Sequence, residues 1–260
     1  MNDFDKKNAS SSDQDGDGIR IIDFSRVIAG PMCTQMLSDM GAEVIKIENP
    51  DGGDDTRKGA GPRAGGLHGE SHFFMTYNRG KKSVALDFTK PEGQAIVHKL
   101  LAGADVMVEN FRPGVLKKYG FDYASVAAKY PKLIYLSISA YGQTGPLSDR
   151  PGYDPVLQAE SGMMAVTGLP DGQPGGGPMK TGPSLVDVCT GVYAASAVLG
   201  ALLHREKTGE GQAIDVTLLE TALAMQAMHL QNYLLSGQQP LRRGNEGNGG
   251  HPARNFDCRD

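Results

Sequence analysis

The carboxylate best placed for chemistry is Asp187. It follows Pro183-Ser184-Leu185-Val186, where a Gly-rich loop runs into the first turn of a long apolar helix. The amide end of a helix favours an ionised carboxylate and any anion formed beside it, and an ionised Asp can act as a nucleophile in covalent catalysis. Asp at such a position is also a common helix cap. Residue chemistry alone leaves both uses open, with capping the more frequent. Other patterns fall short of what their chemistry needs. Gly175-Gly-Gly-Pro-Met-Lys-Thr181 has Met179 where a phosphate-binding P-loop requires Gly before the Lys, and Ala29-Gly30-Pro31 at the first strand-to-helix turn is no GxGxxG. Ser161-Gly162 lacks the leading Gly of a hydrolase GxSxG. The histidines at 68, 72, 98, 204, 229 and 251 show neither HExxH nor paired spacing with Cys, so no metal site is expected. Asp13 to Gly18 copies half of a calcium loop, but Phe24 stands at its twelfth position and Arg20 at its eighth, which leaves a solvated acidic tail.

Charge and composition narrow the partners. A net charge of -4 gives no overall attraction to nucleic acid or to an anionic membrane. Cys33, Cys189 and Cys258 are scattered, with no CxxC and no disulfide framework, which fits a reducing cytoplasm. Met1 to Ser12 has neither the apolar core of a secretory signal nor the Arg-rich, acid-poor composition of a transit peptide. The apolar stretch Val192 to Leu203 is too short to cross a bilayer. Gly supplies 35 of the 260 residues, so much of the backbone is expected in turns or close approaches.

The elements that would position these groups alternate. Ile19 to Ser25 is a β-branched run, Met32 to Met40 has helical spacing closed by Gly41, and Ala42 to Glu48 is a second strand. Asn49 to Ser71 is expected to be a long loop. Strands at Lys82 to Asp87, Asp105 to Glu109, Leu133 to Ser139 and Gln212 to Val216 then alternate with helices at Pro91 to Ala104, Val115 to Tyr119, Tyr123 to Lys129, Pro155 to Ala165, Asp187 to Arg205 and Leu218 to Leu235. Such alternation predicts an α/β fold with a Rossmann-like open parallel sheet. Glu48 and Asn49 close the second strand, where sheets of this kind hold an adenosine ribose.

Several segments taken in order resemble the family III CoA-transferases, the group that includes formyl-CoA transferase and carnitine CoA-transferase. They are Asp23-Phe-Ser-Arg-Val-Ile-Ala-Gly-Pro31, Asp39 to Glu48, Asn78-Arg-Gly-Lys-Lys-Ser83 with Leu86-Asp87, and Glu109-Asn-Phe-Arg-Pro-Gly114. Tyr141-Gly-Gln-Thr-Gly-Pro146, Gly152-Tyr-Asp154, Asp187-Val-Cys-Thr-Gly191 and Lys207-Thr-Gly-Glu-Gly-Gln212 follow. The resemblance runs from Ile19 to His251 and implies transfer of CoA from an acyl-CoA donor to a free carboxylic acid, through aspartyl-anhydride and aspartyl-CoA intermediates. Coenzyme A is then a substrate, and no tightly bound cofactor is expected.

By the same resemblance Asp187 falls on the nucleophile. The backbone at Val27 and Ile28 lies near the nucleotide, Leu86 and Phe88 form apolar walls, and Asn110, Phe111, Arg112 and Lys118 stand near the phosphates. Asn49 occupies a position where some relatives carry Arg. Tyr153 and Asp154 line the acyl site, and Gly244 to Gly250, with Gly249 and Gly250, resembles the lid over the reacting Asp. The resemblance also implies an interlocked homodimer of the complete chain. Residues 1–18 are expected to be a tail, 19–217 the large domain, and 218–260 a linking helix with the incomplete start of a smaller domain. Two other readings stay open: an α-methylacyl-CoA racemase, which needs a His base where this chain has Tyr153, and a non-catalytic CoA-binding fragment.

Overall fold

The computed structural model describes residues 18–66, 69–247, 252–256 and 258–259. Strands β1 (Arg20–Asp23), β2 (Glu43–Glu48), β3 (Lys82–Ala85), β4 (Val106–Glu109), β5 (Ile134–Ser139) and β6 (Ala213–Thr217) form a sheet in the order β3-β2-β1-β4-β5-β6. Every neighbouring pair runs parallel. The strand order reverses between β1 and β4, which opens a crevice at their carboxyl ends where open α/β sheets bind ligands.

The helices are α1 (Ala29–Asp39), α2 (His72–Asn78), α3 (Pro91–Leu101), α4 (Tyr123–Ala127), α5 (Asp154–Glu160), α6 (Met163–Val166), α7 (Leu185–Thr208), α8 (Leu218–Met225) and α9 (Ala227–Ser236). Ile21, Val44, Val108, Leu136 and Ile138 pack one sheet face against Cys33 and Leu37 of α1 and Ala194, Ala195 and Val198 of α7. Ile22, Met107 and Tyr135 pack the other face with Val97 and Leu101 of α3. Burial on both faces is why the central strands read as continuous β-branched and apolar runs instead of alternating ones.

The α1–α7 contact is unusually close. A Cβ on Gly191 would lie 2.7 Å from Met32 Cβ and 2.8 Å from the Ala29 carbonyl oxygen, so only glycine lets the two backbones approach this far. One face of α7 is thereby held in the core. By length and apolar composition this 24-residue helix could span a bilayer, which corrects the expectation drawn from its central twelve residues. Packing against α1 and the sheet accounts for its apolar side.

Three further differences from the sequence reading have local causes. Within the expected loop, Asp55–Lys58 forms a 3-10 turn whose first amides are met by Asp54. The helix α2 was not anticipated: its seven residues are too few for a helical period to repeat, and Ser71 starts it by accepting a hydrogen bond from Phe73 N. The single helix expected over Leu218 to Leu235 is broken at buried Gln226, whose Nε2 donates to the Ser161 carbonyl at 2.8 Å. Leu218 and Ala222 of α8 join the sheet core, so packing continues past residue 217. The half calcium loop lies outside the described residues except for Gly18.

Candidate active site

Asp187 sits in the first turn of α7, half-buried. The capping role that the sequence left open belongs to another residue. Asp154, buried in the first turn of α5, accepts hydrogen bonds at Oδ2 from Val186 N at 2.8 Å and from Asp187 N at 3.1 Å. Its Oδ1 accepts from Gln158 Nε2 at 2.6 Å, and Gln158 Oε1 in turn accepts from Thr181 N at 2.9 Å. The amides of the α7 terminus are thus satisfied from outside the helix. Among the described residues no hydrogen bond or ion pair engages the Asp187 carboxyl. Burial, and then the neighbouring Asp154 charge, push Asp187 up to about 7.

Two neighbours complete this end of the site. Tyr153, expected beside the acyl group, precedes α5 and is 66% exposed, whereas Asp154 turns inward at 3%. Tyr77 of α2 lies within electrostatic reach of Asp187: burial and the Asp187 charge both raise its phenol. The sequence reading missed Tyr77 because α2 itself was missed.

The other end of the site is built at the carboxyl edges of β1, β2 and β3. A cavity of about 340 Å³ is lined by Phe24, Arg26, Lys46, Asn49, Leu86, Phe88 and Phe111, among others. Four of the expected cofactor residues, Asn49, Leu86, Phe88 and Phe111, therefore come together there. Phe88 meets Phe111 and Phe24 edge-on, and the Arg26 guanidinium lies 5.2 Å from the Phe111 ring centre. Arg26 and Lys46 were not singled out from sequence, although both sit inside segments that carried the resemblance. Glu48 is fully engaged as a structural acid. Arg57 grips it through Nε and Nη2, each at 2.7 Å, while Ser83 Oγ and Asp54 N also donate to it. Burial alone would raise Glu48, but these donors hold it at about 2. At the end of β2 that leaves Asn49, exposed, as the side chain with hydrogen-bonding capacity for a ribose.

Asn110 and the pair Val27–Ile28 flank this cavity. Asn110 Oδ1 accepts from Arg26 N at 2.8 Å and its Nδ2 donates to the Arg26 carbonyl at 2.7 Å. Val27 adopts a φ of 72°, and Ile28 is buried at the start of α1. The expected phosphate-side cations are divided differently. Arg112 lines a separate cavity of about 370 Å³ with Glu109, Lys117, Tyr123 and Asp215, and exposed Lys118 lines neither cavity. Gly249 and Gly250 lie outside the described residues.

The two ends of the site are joined through α1. Gly191, one turn beyond Asp187, rests on Ala29 and Met32, immediately after the Val27–Ile28 turn.

Known proteins share this sequence pattern and fold. The family model described as CoA-transferase family III matches residues 17–260. The chain is 49% identical over 231 residues to a succinate–glutarate CoA-transferase of Agrobacterium fabrum, covering 88% of this chain and 57% of that enzyme. It is 43% identical over 227 residues to a human succinyl-CoA:glutarate CoA-transferase, covering 87% of this chain and 50% of that one. In structure it resembles a CAIB/BAIF family protein from Brucella suis, with a TM-score of 0.85 and 42% identity over 92% of this chain and 62% of that one. The chain thus spans only about half of the length of the curated relatives it matches.

Proposed function

We propose that this chain, which belongs to CoA-transferase family III, carries the nucleophile and the CoA-binding half of an enzyme that moves CoA from an acyl-CoA to a free carboxylic acid. The observation that carries this reading is the state of Asp187: a half-buried carboxyl, unengaged among the described residues, on a helix whose amides Asp154 already satisfies.

The chemistry balances in four displacements. The ionised Asp187 oxygen attacks the thioester carbonyl and releases CoA thiolate, leaving a mixed anhydride between the acyl group and Asp187. The thiolate attacks the aspartyl carbonyl and releases the donor carboxylate, which leaves an aspartyl-CoA thioester. The acceptor carboxylate attacks that thioester, expelling thiolate and forming a second anhydride. The thiolate then attacks the acceptor's acyl carbonyl, giving the new acyl-CoA and restoring Asp187. Each intermediate is an anhydride or a thioester that water would hydrolyse, so water has to be excluded throughout.

Within this scheme the phenylalanine-lined cavity receives the adenosine of CoA, with Arg26 as a cation at its mouth. Tyr153 and Asp154 shape the acyl end. The names of the relatives favour C4–C5 dicarboxylates such as succinate and glutarate as acyl partners. The racemase reading lacks its base, because position 153 supplies Tyr. The complete enzyme is further proposed to be a cytoplasmic, interlocked homodimer.

The test is a transfer assay with succinyl-CoA and glutarate, followed by chromatography of the acyl-CoA products. Asp187→Ala should abolish product while leaving CoA binding in place. Transfer at the wild-type rate in that variant would refute the mechanism. Deuterium incorporation at the α-carbon of a 2-methylacyl-CoA that depends on Asp187 would favour racemisation instead.

A further inference from the structure

The turn between β1 and α1 holds the one described non-glycine residue with a left-handed backbone, Val27 at φ 72°. For a β-branched side chain this conformation is strained. Such strain persists only where surroundings over-determine it, and it concentrates at ligand clamps. Here Ser25, Arg26 and Val27 are tied by side chains from separate parts of the chain. Ser25 N donates to Asp23 Oδ1 at 2.8 Å, and the Ser25 carbonyl accepts from Lys46 Nζ at 2.7 Å. Arg26 has both its amide and its carbonyl bound by Asn110. Val27 N shares the Asp54 carboxylate at 3.3 and 3.4 Å. Asp54 is fixed in place by buried Lys46 at 2.9 Å and by Thr56. A methyl group on Gly30 would overlap the Ser25 side chain, so the turn has no room to relax toward the helix.

The turn lies where the strand order reverses, and it borders the phenylalanine-lined cavity on one side and the α7 contact on the other. We infer that Asn110 and Asp54 are positioning residues: they hold the Ser25–Ile28 turn in its strained form, and that form sets the affinity for acyl-CoA. This inference rests on the CoA-transferase reading for the identity of the ligand. It assigns Asn110 an action through the backbone of Arg26, with no direct contact to the nucleotide.

A double-mutant cycle separates these roles. Glycine takes a positive φ without penalty, so Val27→Gly removes the strain that the clamp opposes. Asn110→Ala in the otherwise wild-type protein is expected to weaken CoA binding, measured by calorimetry, on the order of tenfold. In the Val27→Gly background the same substitution should cost about twofold or less. Amide exchange supplies a readout independent of CoA: Asn110→Ala should speed exchange at Arg26 and Val27, and Val27→Gly should return much of the protection. An equal loss of CoA affinity in both backgrounds would mean that Asn110 touches the ligand, and would overturn the proposal. If the wild-type protein bound no CoA, the transferase reading would fail by itself. Unchanged exchange at Arg26 and Val27 in Asn110→Ala would still overturn the clamp in that case.

Discussion

A half-buried carboxyl beside a second, fully buried carboxylate is disfavoured as an anion, and the Asp187–Asp154 pair has this relation. Two predictions follow at this scale. With the Asp187 carboxylate as the proposed attacking species, kcat/KM should rise through about pH 7 as Asp187 ionises and then level off. Asp154→Asn removes the nearby charge, so the rising limb should move to lower pH; a limb that stays in place assigns it to another group. Stability should run the opposite way. A carboxyl whose folded pKa is raised from 3.8 to about 7 holds its proton more tightly when folded, so stability falls as pH rises between those values. Above pH 7, Asp187→Asn should therefore resist urea better than wild type, by on the order of 1 kcal/mol after allowance for solvent screening. Below pH 4 the difference should vanish, and a constant difference at all pH values would remove titration as its cause.

At the scale of elements, the site depends on how closely α7 rides on α1. Gly191→Val would drive its side chain into Met32 and the Ala29 carbonyl. Overpacking of this kind costs about 1–3 kcal/mol. It should also lower transfer activity beyond what the loss of folded protein explains, because the wedge falls between Asp187, the proposed nucleophile, and the Val27 turn. Thermal melting and kinetics on the same preparations check both parts. The strands and long helices that build this arrangement were legible because their periods are long and their ends are marked by residues such as Gly41 and Pro91. The short helix α2 was not legible, and with it went Tyr77. Asp154's role as the cap of α7 was also hidden, since its partners are backbone amides more than 30 residues away, a relation without local sequence signal. The same limit applies to Asn110, which acts on Arg26 from 84 residues away.

Across the whole molecule, a set of buried acids ties the sheet ends together. Asp23 is fully buried and receives Lys81, Ser25 and Thr34; burial would raise it, but these partners and Lys46 hold it at about 2, as Glu48 is held. Folded pKa values below 3.8 and 4.5 mean that this stability is present at neutral pH and is lost as pH falls from about 4 toward 2. Acid unfolding followed by circular dichroism should show the loss in that window, and Glu48→Gln should lower neutral-pH stability while flattening the acid limb. The family and the parallel sheet were readable from ordered segments spread along the chain. The division of the cations was not: Arg112 and Phe111 adjoin in sequence, in the turn that follows β4, yet line different cavities.

Intact-mass and peptide mass spectrometry of the protein mixed with acyl-CoA reads out whether the acyl group passes through Asp187, as proposed. The expected result is an acyl or CoA adduct on the peptide containing Asp187, released by hydroxylamine and missing in Asp187→Ala. Transfer of CoA without any adduct at Asp187, or an adduct that persists in Asp187→Ala, would contradict it.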